Sequence, residues 1–533
     1  MPLVRNVVRT NLYRDSMRLM QVTEEAKKLH GVLDASVVMG TSTNKELLIA
    51  VGLMTDEGMA ASASDMVIAV SLEGEDRLEE VLRAVEGLLA GGREGGSSRY
   101  SDLGAALAAT PDAGLALVSI PGEHVRPVVT QLLDRGIHVH LFSDHVSVED
   151  EVFLKKRALE KGLLLLGPGA GTSIIGGKAI AFANAVGRGR IGLVAAAGTG
   201  LQEVSVLLDR VGVGVSQGLG VGGGDVRDSV GGMMSLASID ALEEDPGTDI
   251  ICLVGKPPGK ETARKITERM ASGKKKYVLC LLGSESAAPP GVHVAASLHS
   301  AAALCARLSG GRADTRFREE LMPTVDGLLS AAADIHRLLE PGQKYVRVLP
   351  AGVSVASVSL LKLRELVGDV MSNAPLEGRL KLRDPHRSTG HTLVDMGEEE
   401  FTAGRAHPMI DPTVRKLRLV EEAADPEVCC VAMDFVLGYG SNPDPAGAML
   451  DSIRKARGAA GGRRLPILAY VCGTERDPQV LSDQVRKLED EGVAVARSNA
   501  EMAVLAALVA SRGAVDRTTL ERVVGRMLHG EGD

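Results

Sequence analysis

The stretch IGLVAAAGTGLQEVSVLLDRVGVGVSQGLGVGGGDVRDSVGG, residues 191–232, decides how the rest of the chain is read. It opens on an apolar β-type run, IGLVAAA (191–197). Gly198, Thr199 and Gly200 then lead into a helical pattern, and a second β-type run follows at VGVSQGLGV (213–221). Strand, glycine turn, helix and strand form one unit of a doubly wound parallel sheet, whose ligands sit outside the carboxyl ends of the strands. Glycine fills 12 of the 41 positions from 192 to 232, and five of eleven in GPGAGTSIIGG (167–177). Without a Cβ, backbone N–H groups at a helix start can approach an anion closely. The competing reading is a set of tight turns in an ordinary α/β core. GxG alone does not separate the two, and the chain has neither a Walker GxxxxGK[ST] nor a full GxGxxG fingerprint.

Outward from this stretch the same alternation recurs. Upstream lie LALVSI (115–120), a helix over 125–135, IHVHLF (137–142), a helix over 149–161, and LLLL (163–166). Downstream lie IICLVG (250–255) and KYVLCLL (276–282), then a third series at 345–351, 391–397, 428–436, 465–473 and 493–498. The pattern predicts an α/β protein of several doubly wound parallel-sheet domains, Rossmann-like and flavodoxin-like. The boundaries read as a small N-terminal α+β domain (1–92), a Rossmann domain (100–188), a flavodoxin-like domain (189–307), a helical connector (308–342), a third α/β domain (343–515) and a C-terminal tail (516–533). GGREGGSSRYSD (91–102) reads as a linker.

With 533 residues the chain can hold several independent cores. Its net charge of −9, with six Phe, six Tyr and no Trp, lacks both the basic field and the stacking faces that nucleic-acid binding needs. The six cysteines, Cys252, Cys280, Cys305, Cys429, Cys430 and Cys472, show no CxxC spacing and read as reduced thiols of a cytoplasmic protein. The amino terminus has no signal-peptide core, and every apolar run is interrupted well before membrane-spanning length.

Three Gly/Pro-rich polar loops follow the strands of the third series: GRAHPMIDP (404–412), GYGSNPDP (438–445) and CGTERDP (472–478). At equivalent strand ends they are expected to converge on one face. Arg405 and Arg476 would then grip a carboxylate or phosphate, His407 would move a proton or orient a carbonyl, and Asp411 would join them. The plainer reading makes Asp434, Asp444, Asp477 and the arginines caps and surface pairs. No metal site is assigned, because Asp225, Asp434 and Asp444 are isolated carboxylates that read as caps or loop supports.

These strings carry a resemblance. Residues 191–259 look like the second domain of the succinyl-CoA synthetase α subunit. IPGEHVRPVVTQLLDRGIHVHLFSDHV and LLLLGPGAGT look like the latter part of its CoA-binding domain, and 345–511 resemble the β-subunit ligase domain fused behind it. With VVRTNLYRDSMRLM and VVMGTSTNKELL in front and GRAHPMIDP, DFVLGYGSNPDP and GTERDP behind, the chain resembles the FdrA family over nearly its whole length.

The resemblance implies an enzyme subunit that reuses the acyl-CoA synthetase architecture. Family members are associated with a catabolic oxamate carbamoyltransferase of allantoin breakdown, which converts oxalurate and phosphate to oxamate and carbamoyl phosphate with separately encoded partner subunits. An acyl-CoA synthetase and a non-catalytic subunit are the other readings. In the synthetases a phosphoryl group visits a site between two helix starts. Gly198, Thr199 and Gly200 match the first, and Gly352 and Ser354, near Ala351 in LPAGVSVASVS (349–359), match the second. Gly222, Gly223, Gly224 and Asp225 are expected to bind phosphate or carbamoyl phosphate, and Ser119, Pro121 and Gly122 to bind CoA if it is a ligand.

The expected partners are thus a small carboxylate or ureido acid, phosphate and further subunits in an oligomer, with no resident cofactor assigned. Two departures stand out. Relatives carry more glycine and a Thr at the second helix start, and their Gly-His-Ala-Gly-Ala phosphohistidine segment is replaced here by SESAAPPGVHVAASLHSAA (284–302). His293 lies in a different context, and His299 is expected to be an ordinary surface residue at a helix start. No ATP-grasp portion is visible. A phosphorolytic transfer needs neither ATP nor that histidine.

Overall fold

The computed structural model describes residues 3–12, 16–74, 77–90, 100, 102–283, 290–402 and 406–528. The chain divides into two compact bodies, residues 1–101 with 397–414, and residues 102–396 with 415–533.

The first body holds β1 (Leu3–Arg9), β2 (Val32–Met39) and β3 (Met66–Leu72) in the antiparallel order β1-β3-β2. The central strand reads MVIAVSL and is buried at every position, while edge strand β2 alternates from Ser36 onward and edge strand β1 is half-buried except at the buried Asn6. Helices Ser16–Lys27 and Leu78–Ala90 lay Leu19, Val22, Val81 and Val85 onto one face of the sheet.

The second body is built from three parallel layers. In the first, β4 (Leu115–Val118), β5 (His138–Leu141) and β6 (Leu165–Leu166) pair side by side in chain order. In the second, the seven-stranded order is β13-β12-β11-β9-β10-β7-β8. Its parallel part comprises β9 (Arg188–Ala195), β10 (Val215–Gly220), β11 (Ile250–Gly255), β12 (Lys276–Leu281) and β13 (Val292–Val294), extended by the hairpin β7 (Thr172–Ile175) and β8 (Lys178–Ala181). That is flavodoxin-like topology, with a switch point between β9 and β11. In the third, β14 (Tyr345–Val348), β15 (Val370–Ser372), β16 (His391–Leu393), β17 (Val428–Val436), β18 (Ile467–Cys472) and β19 (Ala494–Ala496) run parallel in the order β15-β16-β14-β17-β18-β19. β11 and β17 are buried at every position, as central strands covered on both faces must be.

The α/β class and the parallel layers agree with the sequence reading. The short strands β13 and β15 and the β7–β8 hairpin are additional, each being only three or four residues long and without an extended apolar run. The hairpin joins the flavodoxin-like sheet although its residues precede position 189. The segment expected as a tail carries the helix Arg517–Leu528, which buries Leu520, Val523, Val524 and Met527. Among the described residues no helix is long and apolar enough to cross a membrane.

Candidate functional site: the seam between two helix starts

In the second and third layers, the first of the parallel strands feeds a helix at the switch point. β9 leads into helix Gly198–Arg210, and β14 leads into helix Val353–Val367. Residues more than 150 positions apart in sequence meet there. The backbone N–H of Ser354 donates to Thr199 Oγ1 at 3.3 Å. A Cβ built on Gly352 would lie 2.3 Å from Thr199 Cγ2, and one on Gly200 would lie 3.2 Å from Ser354 Oγ. A Cβ on Gly198 would meet Thr172 Oγ1 at 2.9 Å, which places the 167–177 glycine segment under the same turn. Thr199 is 9% exposed and Ser354 2%.

Neither helix start is capped by a side chain of its own N-cap residue, since these are Ala197 and Gly352. Each start carries the equivalent of about half a positive charge. Two such ends facing across a hydroxyl repel one another, and an anion between them would be held by both sets of N–H groups.

Buried acids lie beside the seam. Asp434 of β17 is fully buried; its Oδ1 accepts from Ala351 N at 2.7 Å and from Arg415 Nη2 at 3.2 Å, while Oδ2 has no hydrogen-bond partner. Burial pushes this carboxyl above the ordinary carboxylate range, against the pull of the Arg415 guanidinium. Arg415 also donates to the carbonyls of Leu349 and Asp434, fixing the chain just before the second helix start. On the first helix, Glu203 is buried, accepts the Tyr470 hydroxyl from β18, and is likewise raised by burial. Sequence reading named Asp434 only as a cap or surface pair, which its burial against Arg415 corrects, and it missed Glu203 and Tyr470. The one signal of the buried acids was a charged residue inside an apolar run, Asp in VAMDFV and Glu in LQEVSVLL.

The other expected residues separate into groups. Gly222 and Gly224 are glycine for packing: a Cβ on Gly222 would lie 2.1 Å from Pro168 O, and one on Gly224 2.6 Å from Glu151 Oε2. Gly223 faces Ala196 O. Asp225 is completely buried, and its carboxylate accepts from Lys155 Nζ, Met234 N and both the N–H and hydroxyl of Ser235. The substrate contact expected of Asp225 is therefore corrected to a loop support that caps helix Met233–Glu244.

At the end of β4, Ser119 and Pro121 are exposed. A Cβ on Gly122 would meet His145 O at 2.3 Å, so that glycine serves a close approach between two loops.

Loops 438–445 and 472–478 do converge. Asp477 accepts from Asn184 Nδ2 (2.8 Å), Ala185 N (2.7 Å) and Thr474 N (2.8 Å), and Asn184 also donates to Leu437 O. Arg476 passes over Gly187 and lines a cleft of about 490 Å³ with Arg210 and Arg497. Asp444 caps helix Pro445–Ala459 through Gly447 N.

Loop 404–412, by contrast, belongs to the first body. Arg405 lies outside the described residues. His407 Nδ1 accepts from Met409 N at 3.3 Å, and Asp411 Oδ1 accepts from Thr413. His299 is corrected from a surface residue to a buried one, 1% exposed. Its Nε2 lies 3.3 Å from Met322 Sδ, and burial lowers its pKa to about 3.

Comparison with known proteins agrees with this architecture. Residues 1–102 match a family model described as AllF, heavy metal-associated domain, and residues 349–509 match the model described as CoA-ligase. The uncharacterized protein YahF of Escherichia coli (strain K12) is 42% identical over 510 residues, 94% of this chain and 98% of YahF. The succinate–CoA ligase (ADP-forming) subunit alpha of Methanothermobacter thermautotrophicus is 28% identical over 185 residues, 34% of this chain and 60% of that subunit. Among solved structures, apo acetyl-coenzyme A synthetase 1 of Ca. Korarchaeum cryptofilum aligns with a TM-score of 0.30 and 16% identity, covering 82% of this chain and 89% of that one.

Layers and seam together define a protein of the succinyl-CoA synthetase-like, CoA-ligase class. Within that class the chain belongs to the FdrA family, of which YahF is a member.

The heavy-metal description of the first domain finds no matching ligands. Residues 1–102 contain no cysteine and one histidine, the exposed His30, and among the described residues no three His, Cys, Asp or Glu are grouped to hold a metal ion.

Proposed function

We propose that the chain is a subunit of a carbamoyltransferase that uses phosphate to cleave oxalurate or a similar ureido acid. Partner subunits complete the enzyme. The observation carrying this reading is the glycine-lined seam in which two helix starts meet, with Ser354 N donating to Thr199 Oγ1 and Gly200 and Gly352 permitting the close approach. Such a seam suits a phosphate and the charge that builds on its oxygens during transfer. A phosphate oxygen attacks the carbamoyl carbon, the bond from that carbon to the oxamate nitrogen breaks, and the proton lost by hydrogen phosphate passes to that nitrogen. Carbamoyl phosphate and oxamate result, with no net redox change.

Supporting this over a ligase is the lack of a phosphoryl-carrying histidine near the seam motif. The Gly-His-Ala-Gly-Ala string is missing, and His299 is neutral and closed off by Met322 and Phe317. The test is oxalurate cleavage with and without phosphate, partner subunits present. Carbamoyl phosphate formed only with phosphate, and lost in Gly352→Val, supports the proposal; cleavage indifferent to phosphate overturns it. The acid contact expected of Arg476 is read in the same assay as a rise in KM for Arg476→Ala.

A second reading, an acyl-CoA ligase subunit, is favoured by the match of residues 349–509 to the CoA-ligase model. Calorimetry with CoA separates the two: micromolar binding supports the ligase, and heat indistinguishable from buffer removes it.

A further inference from the structure

The first body contains a cavity that the seam chemistry does not use. It lies between helix Ser16–Lys27, strand β2 and residues 406–414, and has a volume of about 110 Å³. That is room for several waters, and so for a small molecule.

Its floor is apolar, formed by Leu19, Val37, Met39, Leu47 and Val414. Among the described residues its charged lining is one ammonium, Lys27, and two carboxylates, Asp34 and Asp411. Lys27 Nζ stands 3.9 Å from Asp34 Oδ1, with both side chains partly exposed. Asp411 reaches the cavity from the loop 404–412, the motif singled out by its His, Asp and two prolines and left unused by the seam.

A peptide strand is not the occupant, because the outer edge of β2 is already closed by side chains. Ala35 N donates to Asp34 Oδ1 at 2.8 Å. Val37 N donates to Thr23 Oγ1 at 2.8 Å, and the same hydroxyl donates to Val37 O at 3.4 Å. Asn44 Nδ2 donates to Met39 O at 2.9 Å. An edge finished this way offers a further strand few backbone groups to pair with. A metal is not the occupant either, since an ammonium lines the cavity and no thiol or imidazole does.

The charges select the ligand. A plain acid would face two carboxylates, and a plain amine would meet Lys27. A molecule carrying both an ammonium and a carboxylate meets an opposite charge at each end, its ammonium facing Asp34 and Asp411 and its carboxylate facing Lys27 of the existing Lys27–Asp34 pair, while a short aliphatic part lies on the apolar floor.

We propose that this cavity is a binding site for a small zwitterion of amino-acid size. The experiment is calorimetry and thermal melting of the full chain with glycine, L-alanine and β-alanine, beside acetate, ethylamine and Zn²⁺. At least one zwitterion is expected to bind one to one and raise Tm. Its affinity should fall at least tenfold in Lys27→Met and in Asp411→Asn, and acetate and ethylamine should bind more weakly. Lys27 is at the surface, so Lys27→Met keeps the unliganded melting temperature and isolates binding from folding. The proposal is overturned if no zwitterion binds up to about 10 mM, if Lys27→Met binds as tightly as the parent, or if Zn²⁺ binds stoichiometrically and His30→Ala abolishes it.

Discussion

The two helix starts that face one another at the seam are built differently. The first places Gly198, Thr199 and Gly200 in a row and borrows room from Thr172. The second has a single glycine, Gly352, between Ala351 and Val353, and leans on a buried acid, with Asp434 accepting from Ala351 N and Arg415 holding Leu349 O. One start is open because its residues are small. The other is placed because charged groups grip its backbone from beneath. A helix start can be positioned with few glycines, provided that the single close approach falls on a glycine and the preceding backbone is pinned.

If the second start depends on that acid, Asp434→Ala has the largest effect. It strands the Arg415 charge in the core and is expected to cost about 3–5 kcal/mol, read by denaturant unfolding. Asp434→Asn leaves the same Arg415 charge without its carboxylate but keeps the acceptor for Ala351 N, so it should cost less than Asp434→Ala by about 1 kcal/mol. It should also flatten a pH dependence. The folded acid titrates above its ordinary 3.8, so the stability it contributes is present at low pH and is lost as pH rises from 3.8 through the folded value. A parent chain and an Asp434→Asn chain with the same slope there would break the comparison.

Next in size is Gly352→Ala, whose Cβ would overlap Thr199; a loss of about 3 kcal/mol is expected from overpacking. Gly198→Ala meets only the end of the Thr172 side chain and should cost less than half as much. Equal costs would show that the two starts are equally tight.

Acid should then loosen the region between them. His299 sits on helix Leu298–Ser309, is held neutral by burial down to about 3, and feels the charge of Lys362 on the Val353 helix. The unfolded chain protonates this group near 6.5, so stability is lost as pH falls below that value. By pH 5 the loss is about 2 kcal/mol, and His299→Gln should remove it.

The smallest change is Thr199→Val, which keeps the shape and deletes the acceptor for Ser354 N. It should cost about 1 kcal/mol. The same substitution should also alter phosphate affinity measured by calorimetry, because it removes the hydroxyl that joins the two starts.

Much of the fold was legible along the chain. Runs such as IICLVG and VCCVAMDFV could only be strands covered on both faces, and GTG after IGLVAAA marked a helix start. The helix cap at Asp444 followed from the turn chemistry of aspartate. Other features were hidden. Gly222 and Gly224 look like phosphate-loop glycines in sequence, yet the space beside them is taken by Pro168 and Glu151. His299 follows a serine at a helix start and reads as exposed, because nothing local reveals that Phe317 and Met322 cover it.

By itself the sequence determined the local steps: which runs become strands, where glycine opens a turn, and that the layers are parallel. These follow from periodicity and from the φ/ψ freedom of single residues, which short range fixes. Only the tertiary structure decided that Thr199 would meet Gly352 and Ser354, that Asp434 would lie beneath Ala351, and that loop 404–412 would join the first body. Those pairings depend on close approach between segments far apart in the chain, and the missing Cβ or buried carboxylate that permits each one acquires its meaning only from the atom packed against it.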